Sequence, residues 1–295
     1  MNTLAPSITH RDPKGRKFAS LVETAYDKAD LSEKEAQRVN DTPGLSDMIT
    51  QFIDENRTTD KYKDEEVSSN FGYLSGYKKP ELVLDQVKVL KAQYPQLGDN
   101  PTVGGEPGDV LKGAEGWFAL PNLWRPEPAL SGTYNDHVVG VLDLIKQDRN
   151  GKFHNFRDGQ LGPERLRQSA VTEAAMRKLS EEQGHPDILV VACQFGITHR
   201  GRSVRRAREV MVDQNQFGLG AFAVGIMLLT HPDRLKHLDD LWIDCAGDEF
   251  NDPDADARFV HAPRFGFDDG RVKFGALHVG HAHDSYGSVS GFLPQ

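Results

Sequence analysis

Hydrophobic residues in several segments recur every three or four positions, which is the spacing of a helix with one buried face. One such stripe runs over 83–90 and predicts a helix that starts at Pro80, because proline is favoured in the first helical turn. A second stripe over 138–145 follows residues 133–136, whose Thr and Asp can cap a helix. Residues 32–35, Ser-Glu-Lys-Glu, have a capping pattern too and predict a helix near the N-terminus.

Other hydrophobic residues form short runs with the length of a strand. Residues 188–193 are apolar without interruption, as in a strand buried on both faces, and 116–120 and 241–244 are further candidates. Residues 271–279 alternate between apolar and polar positions, which predicts a strand with one face in water. Alternation of helices with buried strands predicts an α/β fold with a three-layer, partly parallel sheet core and an N-terminal helical region.

Two further segments predict helices that pack in this core. Apolar residues from Leu166 to Leu179 lie on one broad helical face after Pro163, and Gly184 ends the helix. Residues 219–229 are almost entirely apolar, yet the run is shorter than the roughly 18–20 residues that span a bilayer. This run predicts a buried helix, and no membrane contact is expected.

Changes in composition along the chain predict three parts. Residues 1–95 form the N-terminal helical region, and 96–132 form a connecting segment rich in glycine and proline with one short strand. Residues 133–295 form the α/β core domain, in which predicted helices and strands alternate.

Composition and charge narrow the classes of protein to consider. The chain has 295 residues, 38% hydrophobic and 27% charged, which is typical of a soluble globular protein. A net charge of −9 disfavours bulk attraction to nucleic acid or to an anionic membrane. Cys193 and Cys245 each lie at the end of an apolar run and are expected to be reduced and buried. The first residues show no signal-peptide pattern, so the cytoplasm is the expected location.

The segment that follows the strand at 188–193 resembles the P-loop of nucleotide-binding proteins. In that loop, glycines let backbone N–H groups surround phosphates, a lysine reaches the outer phosphates, and a hydroxyl ligates magnesium at a helix start. An arginine takes the place of the lysine in this sequence. The resemblance implies a phosphate site formed by Gly196, Gly201, Arg202, Ser203 and Arg205.

A second segment, 241–249, resembles the Asp-x-x-Gly strand of GTP-hydrolysing P-loop proteins. The resemblance implies that Asp244 and Ser203 approach one Mg²⁺ ion, directly or through water. Glu249 or His199 would then position the attacking water. Such a site requires that the glycine turn and Asp244 lie at the carboxyl ends of neighbouring parallel strands.

Charge clustering supports two interpretations that involve no catalysis. The basic stretch from Arg200 to Arg208 can bind a phosphate-bearing ligand or a nucleic-acid backbone without hydrolysing anything. It can also pair with the acidic stretch 239–269, within the chain or between copies. Pairing between copies would make this a structural or assembly protein with complementary charged interfaces, and self-association would follow.

Two segments carry residues that metal sites use. The carboxylates at 252, 254 and 256 have the spacing of a calcium loop, but Ala257 and Pro263 replace its glycine and glutamate. His281 and His283 would project to the same side of an extended segment, as two ligands of a transition metal can. A metal-dependent enzyme built on His and Asp of 278–284 is therefore a further alternative.

The predicted function is binding of a phosphate ligand, either a nucleotide or a nucleic-acid backbone. An atypical P-loop-like nucleotide hydrolase that uses Mg²⁺ is its catalytic form, and the sequence leaves open whether the protein is an enzyme.

Overall fold

The structure, which is a computed structural model, contains both helices and strands, and the protein is a mixed α/β protein as the sequence pattern predicts. The predicted alternation does not extend to the end of the chain, where six strands follow one another without a helix between them. The described residues are 13–55, 60–98 and 108–294. The chain divides into two units, residues 1–57 and 58–295. The three-layer arrangement and the three-part division of the chain stay predictions, and 99–107 of the predicted connecting segment lie outside the described residues.

The first unit contains α1 (Pro13–Lys28), α2 (Glu33–Asn40) and α3 (Leu45–Glu55). The capping pattern predicted at 32–35 is present ahead of α2, where the Ser32 N–H donates to the Glu35 carboxylate at 3.0 Å. Among the residues of this unit for which the structure describes burial, none is buried.

The helices of the second unit are α4 (Val83–Gln93), α5 (Tyr134–Asp148), α6 (Ala170–Glu182), α7 (Val204–Asp213) and α8 (Ala221–Thr230). The predicted cap at 133–136 is confirmed, because the Asp136 N–H donates to the Thr133 hydroxyl at 3.2 Å. The predicted start at Pro80 is wrong by three residues, since α4 begins at Val83. None of the helices in the described ranges is long and apolar enough to cross a membrane.

The strands of this unit are β1 (Gly116–Pro121), β2 (Phe153–Asn155), β3 (Leu166–Gln168), β4 (Ile188–Gln194), β5 (Gln216–Gly218), β6 (Trp242–Asp244), β7 (Asp248–Phe250), β8 (His261–Asp268), β9 (Arg271–His278), β10 (Tyr286–Ser288) and β11 (Ser290–Phe292). The predicted placement of Leu166 in a helix is wrong, because residues 166–168 pair with β7 instead and α6 begins after its Ser169 cap. Long-range strand pairing outweighs the local helical spacing there.

The strands form two sheets. A four-stranded sheet has the order β1-β4-β11-β5, and all its pairings are antiparallel. A larger sheet has the order β10-β6-β8-β7-β3, with β9 beside β8 and β2 beside β9. Only the β10–β6 and β2–β9 pairs are parallel, so the described sheets are parallel in part, as predicted, and antiparallel for the most part.

The predicted buried strand and buried helix are both confirmed. Residues 188–193 lie in β4, where only Val190 is partly exposed, and every residue of α8 is buried. The helix α8 packs closely against α5, because a Cβ added to Gly225 would lie 2.7 Å from a methyl carbon of Val141. A glycine at this position therefore sets how near the two helices approach.

We expect Gly225→Ala to lower the free energy of unfolding by about 1–3 kcal/mol, because the added methyl overpacks the α5–α8 contact. Gly140→Ala is the matched control, since Gly140 lies in α5 with open space around its Cβ position. That variant should gain roughly 1 kcal/mol from the higher helix propensity of alanine. Urea denaturation of both proteins measures the difference, and equal effects in the two variants would contradict this packing.

The larger sheet has one face in the core and one face that is partly open. Ile243, Phe265 and Phe274 are fully buried on the core face. The neighbouring positions point to the opposite face, because side chains alternate along a strand. Trp242 and Arg264 lie there and are only half-buried.

Candidate functional site

The predicted strand-turn-helix around 196–203 is present in its local form. Gly196 has φ +112° after β4, a 3₁₀ turn covers Ile197–His199, and Gly201 has φ +76°. Ser203 caps α7 and accepts a hydrogen bond from the Arg206 N–H at 3.1 Å. The glycines, the hydroxyl and the helix start therefore follow one another as the resemblance implies.

The backbone of this turn is already hydrogen-bonded within the chain. The residues of 196–203 whose N–H donates to an acceptor in the chain are Gly196, Ile197, Thr198, His199, Gly201, Arg202 and Ser203. A P-loop binds phosphate through free backbone N–H groups, so this turn lacks that element of the motif.

Packing within the chain explains why residues 196 and 201 are glycines, without any ligand. A Cβ on Gly196 would lie 2.6 Å from the carbonyl oxygen of Gly287, and one on Gly201 would lie 2.2 Å from the carbonyl oxygen of Val67. Glycine is therefore required at both positions because two backbone segments approach closely.

The basic stretch pairs with carboxylates from 60–66. The Ser203 hydroxyl donates to the Glu65 carboxylate at 2.6 Å, and the Arg205 Nε donates to the same carboxylate at 2.8 Å. Glu66 accepts from Arg206 at 2.5 Å and lies 3.3 Å from Arg202. The pairing within the chain predicted as an alternative thus occurs.

The acidic partner predicted for this stretch is wrong for these arginines, because their carboxylates come from 60–66 and not from 239–269. Arg208 does reach the acidic stretch, but it donates to the backbone carbonyls of Ala246 and Asp248 at 2.8 Å. Arg200 donates to the carbonyl of Phe71 at 2.8 Å. The basic stretch therefore holds the segment 60–71 onto the fold.

The glycine turn and Asp244 do not follow neighbouring parallel strands, as the hydrolytic site would require. Asp244 ends β6 of the larger sheet, whereas the glycine turn follows β4 of the four-stranded sheet. The required pair of neighbouring parallel strands is therefore absent. The Glu249 carboxylate accepts from the Arg167 Nε at 2.7 Å, and burial lowers the pKa of His199 to about 4.

The predicted metal ligands do not form a cluster in the described part of the chain, where no group of three or more His, Cys, Asp or Glu side chains can hold a metal ion. The rings of His281 and His283 do lie on the same side and stack with centroids 5.8 Å apart. Asp252, of the calcium-like spacing, accepts from Arg157 at 2.5 Å. These side chains have partners within the protein.

A cavity that the sequence pattern did not predict lies on the open face of the larger sheet. It measures about 330 Å³ and is called the Arg264 cavity below. Its lining residues are Phe156, Arg157, Trp242, Arg264, Asp268, Lys273, Gly275 and Ala276. Two glycines leave space for this cavity. Gly275 is the register partner of Arg264 and has no side chain beside it. Gly266 lies against the Trp242 indole, where an added Cβ would be 2.1 Å from the ring.

The Arg264 side chain has buried hydrogen-bond donors without a partner. Its Nε and Nη1 atoms are buried and make no hydrogen bond, although the guanidinium lies 4.9 Å from the ring centroids of both Trp242 and Tyr286. A buried donor that lacks an acceptor costs about 1–3 kcal/mol.

Asp244 lies beside Arg264 in the strand register and only partly offsets its charge. The two residues pair across β6 and β8, and Ser288 is opposite Asp244 on β10. Burial raises the pKa of Asp244 to about 7, although the positive charge of Arg264 opposes the rise. Near neutral pH a large fraction of Asp244 is therefore protonated, and Arg264 keeps much of its positive field.

The two other basic groups of the cavity each have a carboxylate partner, although the Nε atom of Arg157 is also buried without a hydrogen bond. Arg157 pairs with Asp252 at 2.5 Å, and Lys273 pairs with Asp269 at 2.9 Å and also with Asp268. Arg264 is thus the cation of this cavity that is available to an anionic ligand.

A larger cavity of about 590 Å³ lies between α5 and residues 153–163. Its lining includes the carboxyl groups of Asp136, Asp143 and Asp158, which would repel a phosphate. The Arg264 cavity is therefore the better site for an anion.

No protein family model, no curated protein and no solved structure matches this chain. The function of the candidate site therefore has to be inferred from the chemistry of its residues.

Proposed function

We propose that this protein binds a phosphate-bearing nucleotide ligand in the Arg264 cavity. The observation that carries the proposal is that Arg264 lines the cavity without an ion-pair partner in the described part of the chain, whereas Arg157 and Lys273 are paired. A guanidinium presents its N–H groups in a planar fork, which matches the oxygen atoms of a phosphate. The ligand class is the one predicted from the sequence, but the site is a different one.

The rest of the cavity suits the base of a nucleotide. Trp242 and Phe156 supply aromatic surface, and 56% of Phe156 is exposed at the rim. Flat aromatic rings stack favourably on nucleobases, and pockets for small ligands begin at about 300 Å³. The cavity therefore combines a phosphate contact with a stacking surface.

The proposal concerns binding, with no catalytic step assigned. The predicted hydrolytic residues Asp244, Glu249 and His199 do not line the Arg264 cavity, and Glu249 and His199 already contact Arg167 and Gln216. The turn 196–203 with Arg205 stays the alternative phosphate site, and self-association stays the alternative function. The predicted involvement of Mg²⁺ also stays a prediction.

Binding of nucleoside mono-, di- and triphosphates, measured by isothermal titration calorimetry, tests the proposal. We expect Arg264→Gln to weaken binding by roughly tenfold or more, since charged hydrogen bonds contribute about 1.5–3 kcal/mol. Arg271→Gln is the matched control, because Arg271 is an exposed arginine of the neighbouring β9 that does not line the cavity. It should change the affinity by less than about twofold.

A third variant, Arg205→Gln, separates the two candidate phosphate sites. A large loss of affinity in Arg205→Gln with none in Arg264→Gln would move the site to the basic turn. Absence of nucleotide binding to the wild-type protein at low salt would overturn the proposal altogether.

A further inference from the structure

The segment 60–67 is attached to the start of α7 by charged groups and is called the acidic strap. At its centre, the Glu65 carboxylate accepts from the Ser203 hydroxyl at 2.6 Å and from the Arg205 Nε at 2.8 Å. The other ion pairs of the strap with this region are Arg202 with Glu66, and Arg206 with Glu66 and Asp60.

The strap occupies the polar groups that the sequence predicts for a phosphate. The Ser203 N–H donates to the backbone carbonyl of Glu65 at 3.1 Å, in addition to the contact of its hydroxyl with the carboxylate. Arg202 lies 3.3 Å from the Glu66 carboxylate, and Arg205 contacts both carboxylate oxygens of Glu65. A carboxylate of the chain itself is therefore bound where a phosphate is predicted.

The strap lacks the apolar anchors of the segment that follows it. No residue of 60–70 is buried. In 71–77, by contrast, Tyr77 is buried in the core, and the Leu74 N–H donates to the carboxylate of the fully buried Asp240 at 2.7 Å. Segments with few buried apolar contacts open at a lower free energy than the core. The strap can therefore detach while 71–77 stays in place.

We propose that the acidic strap is an autoinhibitory latch, which covers an anion site formed by Ser203, Arg202 and Arg205 and must open before a phosphate-bearing ligand binds there. Partly exposed ion pairs contribute little individually and are screened by salt, so the strap opens reversibly. A phosphate carries more charge than a carboxylate and accepts more hydrogen bonds, so it competes for the same arginines. This inference does not depend on the Arg264 cavity.

Hydrogen–deuterium exchange in the wild-type protein tests whether the strap opens. The Val67 N–H donates to the Gly201 carbonyl at 2.8 Å, and the Lys61 N–H donates to the Glu209 carboxylate at 2.7 Å, so both amides report on the closed strap. We expect both to exchange at least about fivefold faster when NaCl rises from roughly 0.05 M to roughly 0.5 M, because salt screens ion pairs. The Leu74 N–H of the anchored segment is the control and should change by less than about twofold.

Glu65→Gln should open the strap without added salt. Loss of the charge weakens the hydrogen bonds from Ser203 and Arg205, so we expect the Val67 amide to exchange at least about tenfold faster. Asp64→Asn is the matched control, because it removes the same charge from an exposed neighbour in the strap. That variant should change the exchange rate by less than about twofold.

Isothermal titration calorimetry with inorganic pyrophosphate tests the site beneath the strap. All proteins in this series carry Arg264→Gln, so that the proposed nucleotide site does not contribute. A ligand that binds only the open form has an apparent affinity proportional to the open fraction. Adding Glu65→Gln should therefore tighten pyrophosphate binding by the factor seen in exchange, at least about tenfold, and a further Arg205→Gln should remove the gain. Adding Asp64→Asn instead should change the affinity by less than about twofold.

The two measurements address separate parts of the inference. Exchange of the Val67 amide that responds neither to salt nor to Glu65→Gln would show that the strap is not an ionic latch, and would overturn the inference. Faster exchange in Glu65→Gln without tighter pyrophosphate binding would overturn it as well, because no anion site would then lie beneath the strap. Neither result changes the standing of the Arg264 cavity, whose nucleotide binding is measured in proteins with an intact strap.

Discussion

Glu115→Ala is expected to lower the free energy of unfolding by about 3–5 kcal/mol, because it leaves three buried donors without an acceptor and removes a carboxyl group that interacts electrostatically with the buried Arg234. Arg234 is fully buried and stacks over the Tyr73 ring at 3.9 Å, and two of its nitrogen atoms make no hydrogen bond. The Glu115 carboxylate accepts from the hydroxyls of Tyr73 at 2.5 Å and Tyr77 at 2.9 Å, and from the Phe195 N–H at 3.0 Å. Removing it leaves these three donors without an acceptor.

Urea denaturation measures this effect, with Glu127→Ala as the control. Glu127 is an exposed glutamate, and its replacement should change the free energy of unfolding by less than about 0.5 kcal/mol. If charge imbalance causes the loss, the double variant Glu115→Gln/Arg234→Met should be more stable than Glu115→Ala. A loss below about 1 kcal/mol in Glu115→Ala would show that Arg234 is compensated by other groups.

Asp244→Asn is expected to stabilise the protein at alkaline pH. The pKa of Asp244 is raised from 3.8 to about 7 by burial, so the folded protein holds this proton more tightly than the unfolded chain does. The proton stabilises folding fully below pH 3.8, and this contribution is lost as the pH rises to about 7. An asparagine of similar shape stays neutral at every pH and avoids that loss.

The stability difference between Asp244→Asn and the wild type should therefore grow from near zero at about pH 4 to on the order of 4 kcal/mol at about pH 8. Denaturation curves at a series of pH values measure it. Asp254→Asn, which changes an exposed aspartate, is the matched control. A difference for Asp244→Asn that does not change with pH would mean that Asp244 stays ionised in the folded protein.

The predicted site illustrates how much a local pattern can convey. The turn after β4 and the serine at the start of α7 have the local form that the resemblance implies, because each of these features depends on neighbouring residues. The sequence could not show that Glu65, 140 positions from Arg205, would pair with that arginine. The same motif is therefore compatible with a phosphate site and with an internal ion-pair network until the distant partner is known.

The Arg264 cavity had only a faint signal in the sequence. Alternation around Arg264 and Lys273 indicates a strand pair with one wet face, and Gly266 and Gly275 lie on that face. Trp242, by contrast, belongs to an apolar run that predicts a buried strand. Its partial exposure follows only from the position of β6 between β10 and β8.

The sequence alone determined the elements whose cause is local: the capped starts of α2 and α5, the buried strand β4 and the apolar helix α8. Hydrophobic spacing and capping act over a few residues, so they can be interpreted without the rest of the chain. The tertiary structure decided the strand partners and their directions, because β4 pairs with β1, far before it, and with β11, far after it. It also decided which charges are paired within the chain, as Arg157 is with Asp252, and which, like that of Arg264, have no ion-pair partner among the described residues.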